Sequence, residues 1–538
     1  MATATETGRA TGDRRLGVLL LAAAVAAAVT LPLVALVLGA LDAGDSLDLL
    51  FADTTLDIAF NSAALAVGVT GFSVLLGVPL AYLTVRTDLP GKRWFSVLLA
   101  VPLVVPSYIG AFAFVYLFRP TGPLQAALAP LGVDSLPSVY GLGGTVLVLT
   151  LYTYPYVFIT TRAALKTLDT TLVDAARTLR HTRWEAFRRV TLPQIRPAIG
   201  AGALLVALYA LSDFGTPQIM RFDAYTRVIY SAQQYDLDLA VLLSVQLVVV
   251  AFLILAVESR VRGSGVQSDH PGRKSAPLRL GRLKWPAVGV CLLVPLFALA
   301  VPLGVLTLWL LESQARVAPS LAFRPVYAFN SAWLALAAAF LAGLAALPVA
   351  WVASRRSAAS DSRAVNVLGT VVERGSYVGY ALPGVVVGFA LVTLAADTGD
   401  LYTSGVVYLP LLVFAYVVRF LPQAVGSTRA AFGQVSPALE EAARTLGDPP
   451  GRAFRRVTLP LVLPGVLGGA ALVFLTTMKE LPATLLLRPA EFDTLVTHLW
   501  SAEKQGYYGQ AAIPALVLLL VSALSLLVMV RVEGSDVE

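Results

Sequence analysis

The chain has 538 residues, of which 57% are hydrophobic and only 14% are charged. A mean hydropathy of +0.75 would expose too much apolar surface for a soluble protein of this size, so the composition excludes an ordinary water-soluble enzyme. The net charge of +7 could suggest a nucleic-acid partner. However, the basic residues lie between apolar blocks instead of forming one patch. This distribution argues against a nucleic-acid partner.

Twelve apolar blocks follow one another along the chain. Each is long enough for a helix that crosses the roughly 30 Å hydrocarbon core of a bilayer. The blocks lie near residues 16–41, 58–85, 94–118, 141–161, 197–218, 238–258, 286–311, 329–354, 373–396, 405–426, 463–487 and 511–530. The first block is longer than the core of a cleavable signal peptide, so we interpret it as a retained helix. We therefore predict an all-α polytopic membrane protein with about twelve transmembrane helices.

Lysine and arginine are distributed unevenly between the two sides of this arrangement. With the N-terminus inside, cytoplasmic segments and helix ends carry 32 of them, external segments carry seven, and Lys479 lies within a span. The stretch from Arg260 to Lys284 alone holds seven basic residues. This positive-inside bias predicts a protein of the plasma or inner membrane with both termini in the cytoplasm.

The chain also repeats itself. Near the start of each half the same residues recur after 269 positions: Asn61, Ser62, Pro79, Ala81 and Arg86 against Asn330, Ser331, Pro348, Ala350 and Arg355. Farther on the offset is 267, and 13 of the 19 positions in 175–193 are identical in 442–460. Six spans per half is an even number, which indicates a parallel repeat. We predict a first repeat over 1–263, a cytoplasmic linker over 264–285, and a second repeat over 286–538.

The longest match contains a short amphipathic pattern in a cytoplasmic loop. Apolar residues fall at i, i+3, i+4 and i+7 in both copies: Leu172, Ala175, Ala176 and Leu179, then Leu439, Ala442, Ala443 and Leu446. We predict helical segments over about 171–193 and 437–460, with Ser436 and Pro437 starting the second helix and Gly447 ending it. Simple anchoring to the inner face would need only positive charge. Thirteen residues placed twice indicate a docking surface instead.

The segments D-A-A-R-T-L (174–179) and E-A-A-R-T-L-G (441–447), each followed by T-L-P, resemble the EAA loop of ATP-binding-cassette importer permeases. The resemblance implies a type I importer permease fold and two coupling helices that dock on cytoplasmic ATPase subunits. The implied coupling residues are Asp174, Ala175, Ala176, Arg177, Leu179, Glu441, Ala442, Ala443, Arg444, Leu446 and Gly447. Arg180 stands where the family usually has glycine, so we expect a less sharp turn after the first helix.

Further segments resemble the fused ferric-iron permeases: N-S-A (61–63), V-P-S-Y-I-G-A-F (105–112), T-Y-P-Y-V (153–157), L-S-D-F-G-T-P (211–217) and M-K-E-L-P-A-T (478–484). This resemblance implies iron(III) as the substrate. Permeases for thiamine, sulfate, molybdate, polyamines or phosphonates share the architecture and remain alternatives. The implied partners are two copies of a cytoplasmic ATPase, which use ATP and magnesium, an external solute-binding protein, and the lipid bilayer. No cofactor is expected on this chain.

Two acidic residues, Asp213 in the fifth span and Glu480 in the eleventh, are equivalent under the 267-residue offset. A carboxylate in hydrocarbon is costly, which suggests a translocation pathway for a cationic solute. Equally, both carboxylates could pair with Lys479 or with arginines of the external loops. Tyr152, Tyr154 and Tyr156 could be ferric ligands, but they point to different faces of one helix and are expected to pack.

No catalytic site is expected. The chain has no G-x-x-x-x-G-K-[ST] phosphate loop and no G-x-S-x-G, H-E-x-x-H or C-x-x-C motif. Its one cysteine, Cys291, and its three histidines show no metal-ligand spacing, so no metal site is predicted. A gradient-driven secondary transporter would also have twelve spans in two halves. That class predicts several deep carboxylates and no paired docking helices, which fits this sequence less well.

Overall fold

A computed structural model describes the protein from residue 2 to residue 534, except for 121, 170, 172–175, 177, 179–181, 264–276, 313–316, 355–362 and 397–406. The described residues form helices and no strand, apart from one isolated β-bridge between Thr87 and Leu278. The all-α prediction is therefore confirmed for the described part of the chain.

The α-helices of the first half are α1 Ala2–Asp42, α2 Asp53–Arg86, α3 Lys92–Leu98, α4 Ser107–Phe118, α5 Pro123–Leu128, α6 Leu142–Thr167, α7 Arg183–Ala186, α8 Leu192–Ser212, α9 Gly215–Ile219, α10 Tyr225–Ala232 and α11 Leu237–Gly263. A π-helix, Phe187–Thr191, joins α7 to α8. Short 3₁₀ helices are Ala43–Phe51, Val101–Val104 and Ala129–Leu131.

The α-helices of the second half are α12 Lys284–Pro295, α13 Val301–Glu312, α14 Pro325–Ser354, α15 Arg363–Ser376, α16 Val378–Ala381, α17 Gly384–Ala396, α18 Tyr408–Gln434, α19 Pro437–Thr445, α20 Pro450–Ala453, α21 Leu459–Met478, α22 Pro482–Leu487, α23 Leu495–Lys504 and α24 Tyr508–Gly534. The π-helices Leu296–Ala300 and Phe454–Thr458 continue α12 and α20, and 3₁₀ helices are Gly281–Leu283 and Pro319–Leu321.

All twelve predicted apolar blocks coincide with helices. Among the described residues, nine helices are long and apolar enough to cross a membrane, and two bent pairs each pass as one broken span. The twelfth block corresponds to the shorter apolar stretch Tyr508–Leu524 of α24. The broken spans bend by 89° and 104°, and each break contains a proline, Pro106 or Pro383. Proline cannot donate its backbone nitrogen and disfavours helix in the residue before it, which accounts for both breaks.

The structure divides into two compact units. One comprises residues 43–317 and 506–512, and we call it the first-repeat unit. Its centre is α2 packed against α6 and α8. Leu65, Val69, Leu149, Val157 and Val206 form part of this apolar core.

The second-repeat unit comprises residues 1–42, 318–505 and 513–538. Its centre is α14 packed against α18 and α21, the counterparts of α2, α6 and α8 under the sequence repeat. The duplicated sequence thus produces the same three-helix core twice. Small residues such as Ala81 in α2 and Ala350 in α14 are fully buried and permit close helix approach in both units.

The compact units do not coincide with the repeat boundaries read from the sequence. Helix α1 packs on α14, α15 and α17 within the second-repeat unit, whereas α13 packs on α4 within the first-repeat unit. The opening helix of each sequence repeat therefore belongs to the unit built around the other repeat. An apolar helix carries no sequence signal for its packing partner, so the periodicity could not reveal this exchange.

Candidate functional site

The second predicted docking segment contains a short helix, α19, which begins at Pro437 after Ser436 as expected. Its end is a Schellman motif, since the Gly447 N–H donates to the Arg444 carbonyl and the next N–H, of Asp448, donates to the Ala443 carbonyl. Gly447 has a φ of +94°, a left-handed conformation that glycine adopts without steric cost. The helix thus ends at the predicted stop, Gly447, and the rest of the predicted segment 437–460 contains α20, the π-helix Phe454–Thr458 and the start of α21.

The apolar stripe of α19 faces outward. Leu439 is 48% exposed and Leu446 is 89% exposed. Glu441, Ala442, Arg444 and Gly447 are also exposed, and Ala443 is partly exposed. An amphipathic helix normally buries its apolar stripe against its own protein, whereas the stripe of α19 is exposed.

Polar contacts join α19 and the residues after it to the segment that precedes α21. Glu440 accepts a hydrogen bond from Thr458 Oγ1 at 3.2 Å, which ties α19 to the π-helix before α21. Asp448 lies 3.7 Å from Arg452 and 3.5 Å from Arg456. The exposed stripe of α19 is therefore connected directly to the start of a membrane span.

Within the first predicted docking segment, 171–193, positions 172–175, 177 and 179–181 lie outside the described residues, and these include Asp174, Ala175, Arg177, Leu179 and Arg180. Ala176 is described, as helical and 8% exposed.

The later part of the first docking segment, from Thr182 onward, is described. Thr182 and Glu185 form a reciprocal capping box at the start of α7. The repeated sequence F-R-R-V-T forms a π-helix in both halves, at 187–191 and 454–458. Neither π-helix was predicted, because the apolar period of a single π turn differs too little from that of an α-helix.

Asp213 lies at a helix break. Helix α8 ends at Ser212, which corrects the expectation that Asp213 lies inside the fifth span. Its carboxylate accepts hydrogen bonds from Ser107 Oγ at 2.5 Å and from the Thr216 N–H at 2.8 Å. Its carbonyl accepts one from Thr226 Oγ1 at 2.7 Å. Asp213 therefore connects α4, α9 and α10.

Glu480 lies at the equivalent break, between the end of α21 and the start of α22. Its side chain is fully buried, and Oε1 is 2.6 Å from Arg419 Nη1 of α18. The carboxylate also accepts hydrogen bonds from the N–H groups of Ala483 and Thr484, both at 3.1 Å, and from Thr484 Oγ1 at 2.9 Å. Backbone donors at the start of α22 thus hold the carboxylate, as expected where the dipole of a helix favours negative charge.

Arg419 is not among the site residues predicted from the sequence, and the predicted topology counts it with the cytoplasmic segments and helix ends. The structure places it inside α18, paired with Glu480. The sequence signal was present, because an arginine within an apolar block is a functional or paired residue by default. The pairing alternative had named Lys479 and the loop arginines, whereas Arg488 pairs with Asp493 at 2.6 Å.

The repeated Asn-Ser dipeptide forms hydrogen bonds to the start of a short helix in each unit, α10 or α23. Asn61 Nδ2 donates to the Asp223 carbonyl at 3.3 Å, and Asn330 Nδ2 donates to the Asp493 carbonyl at 2.8 Å. In the same way Ser62 Oγ accepts from the N–H of Tyr225 at 2.9 Å, and Ser331 Oγ accepts from the N–H of Leu495 at 2.8 Å. The dipeptide thereby fixes α10 to α2 and α23 to α14.

The tyrosines of α6 serve packing. Tyr152 and Tyr154 are buried, and their hydroxyls donate to the carbonyls of Ala298 at 3.2 Å and Leu99 at 2.6 Å. Tyr156 packs at an angle on Tyr209. Among the described residues, no three His, Cys, Asp or Glu side chains are grouped to hold a metal ion.

A duplicated bundle of membrane-spanning helices, with an exposed apolar stripe on a short helix between two spans, is the architecture of a membrane transport subunit. The family described as "Binding-protein-dependent transport system inner membrane component" matches residues 73–262 and 356–534. The chain belongs to this family, and it is a multi-pass protein of the inner membrane.

Two ferric transport permeases are similar over most of the chain, and a molybdenum permease over a smaller part of it. "Fe(3+)-transport system permease protein FbpB 2" of Haemophilus influenzae is 29% identical over 92% of this chain and 94% of its own length. "Ferric transport system permease protein FbpB" of Actinobacillus pleuropneumoniae is 25% identical over 86% of this chain and 69% of its own. "Molybdenum transport system permease protein ModB" of Mycobacterium tuberculosis is 31% identical, over 38% of this chain and 76% of its own.

Proposed function

We propose that the chain is the permease subunit of an ATP-binding-cassette importer that moves iron(III) inward by alternating access. The observation that carries the proposal is the outward-facing apolar stripe of α19, in which Leu446 is 89% exposed. A motor subunit that docks on this face could move α21 through the contacts of Glu440 and Asp448. Differential affinity of the motor for two states of the permease then drives the cycle.

The partners follow from the duplication of the docking sequence. Two copies of a separate cytoplasmic ATPase would dock on the two loops, one through the first set of coupling residues (Asp174, Ala175, Ala176, Arg177, Leu179) and one through the second (Glu441, Ala442, Ala443, Arg444, Leu446, Gly447). ATP and magnesium would be bound by those subunits. An external solute-binding protein would deliver the substrate.

Iron(III) is supported by relatives that align along nearly the whole fused chain and carry ferric transport in their names. Molybdate is the second candidate, because molybdenum permeases match a single half of the chain at comparable identity. The two candidates differ in the charge of the solute, so they can be separated by experiment.

Asp213 and Glu480 are proposed to serve the translocation pathway. Each sits where an apolar helix breaks after the fifth span of its repeat, a position at which transporters expose backbone and polar groups to solute. Arg419 neutralises Glu480. The contribution of Glu480 is therefore to fix the shape of the break between α21 and α22 and not to coordinate a metal ion.

The proposed topology has both termini in the cytoplasm, two six-helix repeats over 1–263 and 286–538, and a linker over 264–285. The positive-inside distribution supports it. The same distribution puts α19 on the cytoplasmic side, where an ATPase could reach it.

The test is reconstitution of the permease in liposomes with its ATPase and binding protein. ATP hydrolysis stimulated by ferric-loaded binding protein, with ⁵⁵Fe accumulating inside, is the expected result. Stimulation by molybdate-loaded protein alone would assign the second candidate. Uptake of ⁵⁵Fe with no ATPase present would contradict the importer proposal altogether.

A further inference from the structure

The end of the inter-repeat linker forms backbone hydrogen bonds with the first repeat. Leu278 pairs with the turn after α2: its N–H donates to the Arg86 carbonyl at 2.8 Å, and its carbonyl accepts from the Asp88 N–H at 3.0 Å. This is the parallel bridge between Thr87 and Leu278. The linker end is thus held to the turn after α2 by this bridge, shortly before α12 begins.

Asp88 is the residue that fastens this contact. Its Oδ1 accepts a hydrogen bond from the Leu280 N–H at 2.8 Å, and its Oδ2 lies 3.0 Å from Lys284 Nζ at the start of α12. Those two donors lower the pKa of the Asp88 carboxyl, with the Leu280 N–H as the larger cause. Asp88 is therefore charged and occupied on both oxygens at neutral pH.

The same turn contacts the base of the first docking loop. Arg86 Nη2 donates to the Leu168 carbonyl at 3.4 Å, and Leu168 directly follows α6 and precedes the docking segment. Leu89 and Leu280 belong to one apolar cluster with Leu165, before the loop, and Ile195, after it. The linker end, the α2–α3 turn and both ends of the docking loop are consequently parts of one packed base.

We propose that Asp88 is a positioning residue for energy coupling, which locks the linker end into the base of the first docking loop so that motor movement there reaches the membrane spans. The inference rests on the proposed function. Asp88 has no acidic counterpart in the second repeat, because the corresponding position at the 269-residue offset, 357, is serine. The fastening therefore belongs to the fusion of the two repeats and not to the repeat itself.

The test compares variants for ⁵⁵Fe transported per ATP hydrolysed in liposomes that contain the ATPase and binding protein. Asp88→Ala should lower this ratio by roughly threefold to tenfold, within the range over which residues between two sites modulate their coupling. Asp88→Asn, whose amide oxygen still accepts from Leu280, should fall in between. The control is Asp57→Asn, an exposed carboxylate near the other end of α2, which should leave the ratio unchanged.

A second measurement tests whether coupling depends on the contacts of Asp88 or on an uncut linker between the two repeats. With a protease site inserted in the linker between residues 268 and 271, cleaved wild-type protein should keep its ratio, because the contacts of Asp88 lie beyond the cut. An unchanged ratio in Asp88→Ala, or loss of coupling on cleavage alone, would overturn the inference. If Asp88→Ala does not accumulate in membranes, Lys284→Ala, which leaves Leu280 its acceptor, takes its place. Wild-type protein without ATP-dependent uptake would instead contradict the proposed function.

Discussion

Arg419 Nη1 and Glu480 Oε1 lie 2.6 Å apart, joining the middle of α18 to the break between α21 and α22. The first repeat has Tyr152 and Asp213 at the positions 267 residues earlier. There Ser107 donates to the carboxylate, and aligning Pro106 with Pro383 places Gly384 at the position of Ser107. Both halves therefore hold a carboxylate at a helix break. The partner of Asp213 is the hydroxyl of Ser107, and the partner of Glu480 is the guanidinium of Arg419.

Removing the guanidinium should destabilise the second-repeat unit. Arg419→Met leaves a fully buried carboxylate without its cation, at a cost of about 3–5 kcal/mol. We expect a lower unfolding midpoint in detergent, with most of the loss recovered in Arg419→Met/Glu480→Gln. Arg488→Met is the control, because its pair with Asp493 is more exposed and should contribute under about 1 kcal/mol. Equal midpoints for the single and double variants would show that the buried charge is not the cause.

Gly384 is required by the same pair. A Cβ at this position would lie 2.4 Å from Glu480 Oε1 and 2.6 Å from Arg419 Nη1. Gly384→Ala should therefore separate the ion pair and lower the unfolding midpoint, with a cost of roughly 1–3 kcal/mol for overpacking. Gly426→Ala is the matched control, since its nearest neighbour would be Tyr377 at 3.8 Å. If both alanines behave alike, loss of glycine flexibility and not the clash is responsible.

The exposed stripe of α19 should matter for partner binding and little for folding. Leu446→Ser changes a side chain that is 89% exposed, so the free energy of unfolding should move by less than about 0.5 kcal/mol. Copurification of the ATPase should fall, because burying a leucine side chain against a partner contributes about 1.5–3 kcal/mol. Leu131→Ser, at a position 77% exposed outside the docking segments, should retain the ATPase. An unaltered yield of ATPase with Leu446→Ser would argue against docking on this face.

The sequence predicted what depends on local pattern. Span positions follow from apolar length, and the start and end of α19 follow from Pro437 and Gly447. The breaks were readable in principle from Pro106 and Pro383, yet an apolar count runs straight through them. Partner choice was not readable: neither the packing of α1 on α14 nor the pairing of Arg419 with Glu480 leaves a periodic signal, because both depend on contacts between distant parts of the chain.

The serine of the repeated dipeptide should stabilise both units similarly. Ser331→Ala leaves the N–H of Leu495 buried without its acceptor, at a cost of about 1–3 kcal/mol. Ser62→Ala should do the same through Tyr225. Ser96→Ala, an exposed serine that bonds only its own helix, should change the unfolding midpoint little. A cost confined to one of the two buried serines would show that the repeat is structural in that half alone.

His498 should make the second-repeat unit sensitive to acid. The ring is 1% exposed and stacks on Tyr327 with centroids 4.5 Å apart. Burial lowers the pKa of His498 below its usual value near 6.5, although Asp493 and the Leu321 carbonyl act in the opposite direction. The unfolded chain therefore binds a proton at higher pH than the folded protein does, and stability falls as the pH drops through the unfolded pKa, until the folded pKa is also passed. Unfolding midpoints of wild type and His498→Gln between about pH 7.5 and about pH 5.5 test this, because the slope should be smaller in the variant. Equal slopes would assign the acid sensitivity to other groups.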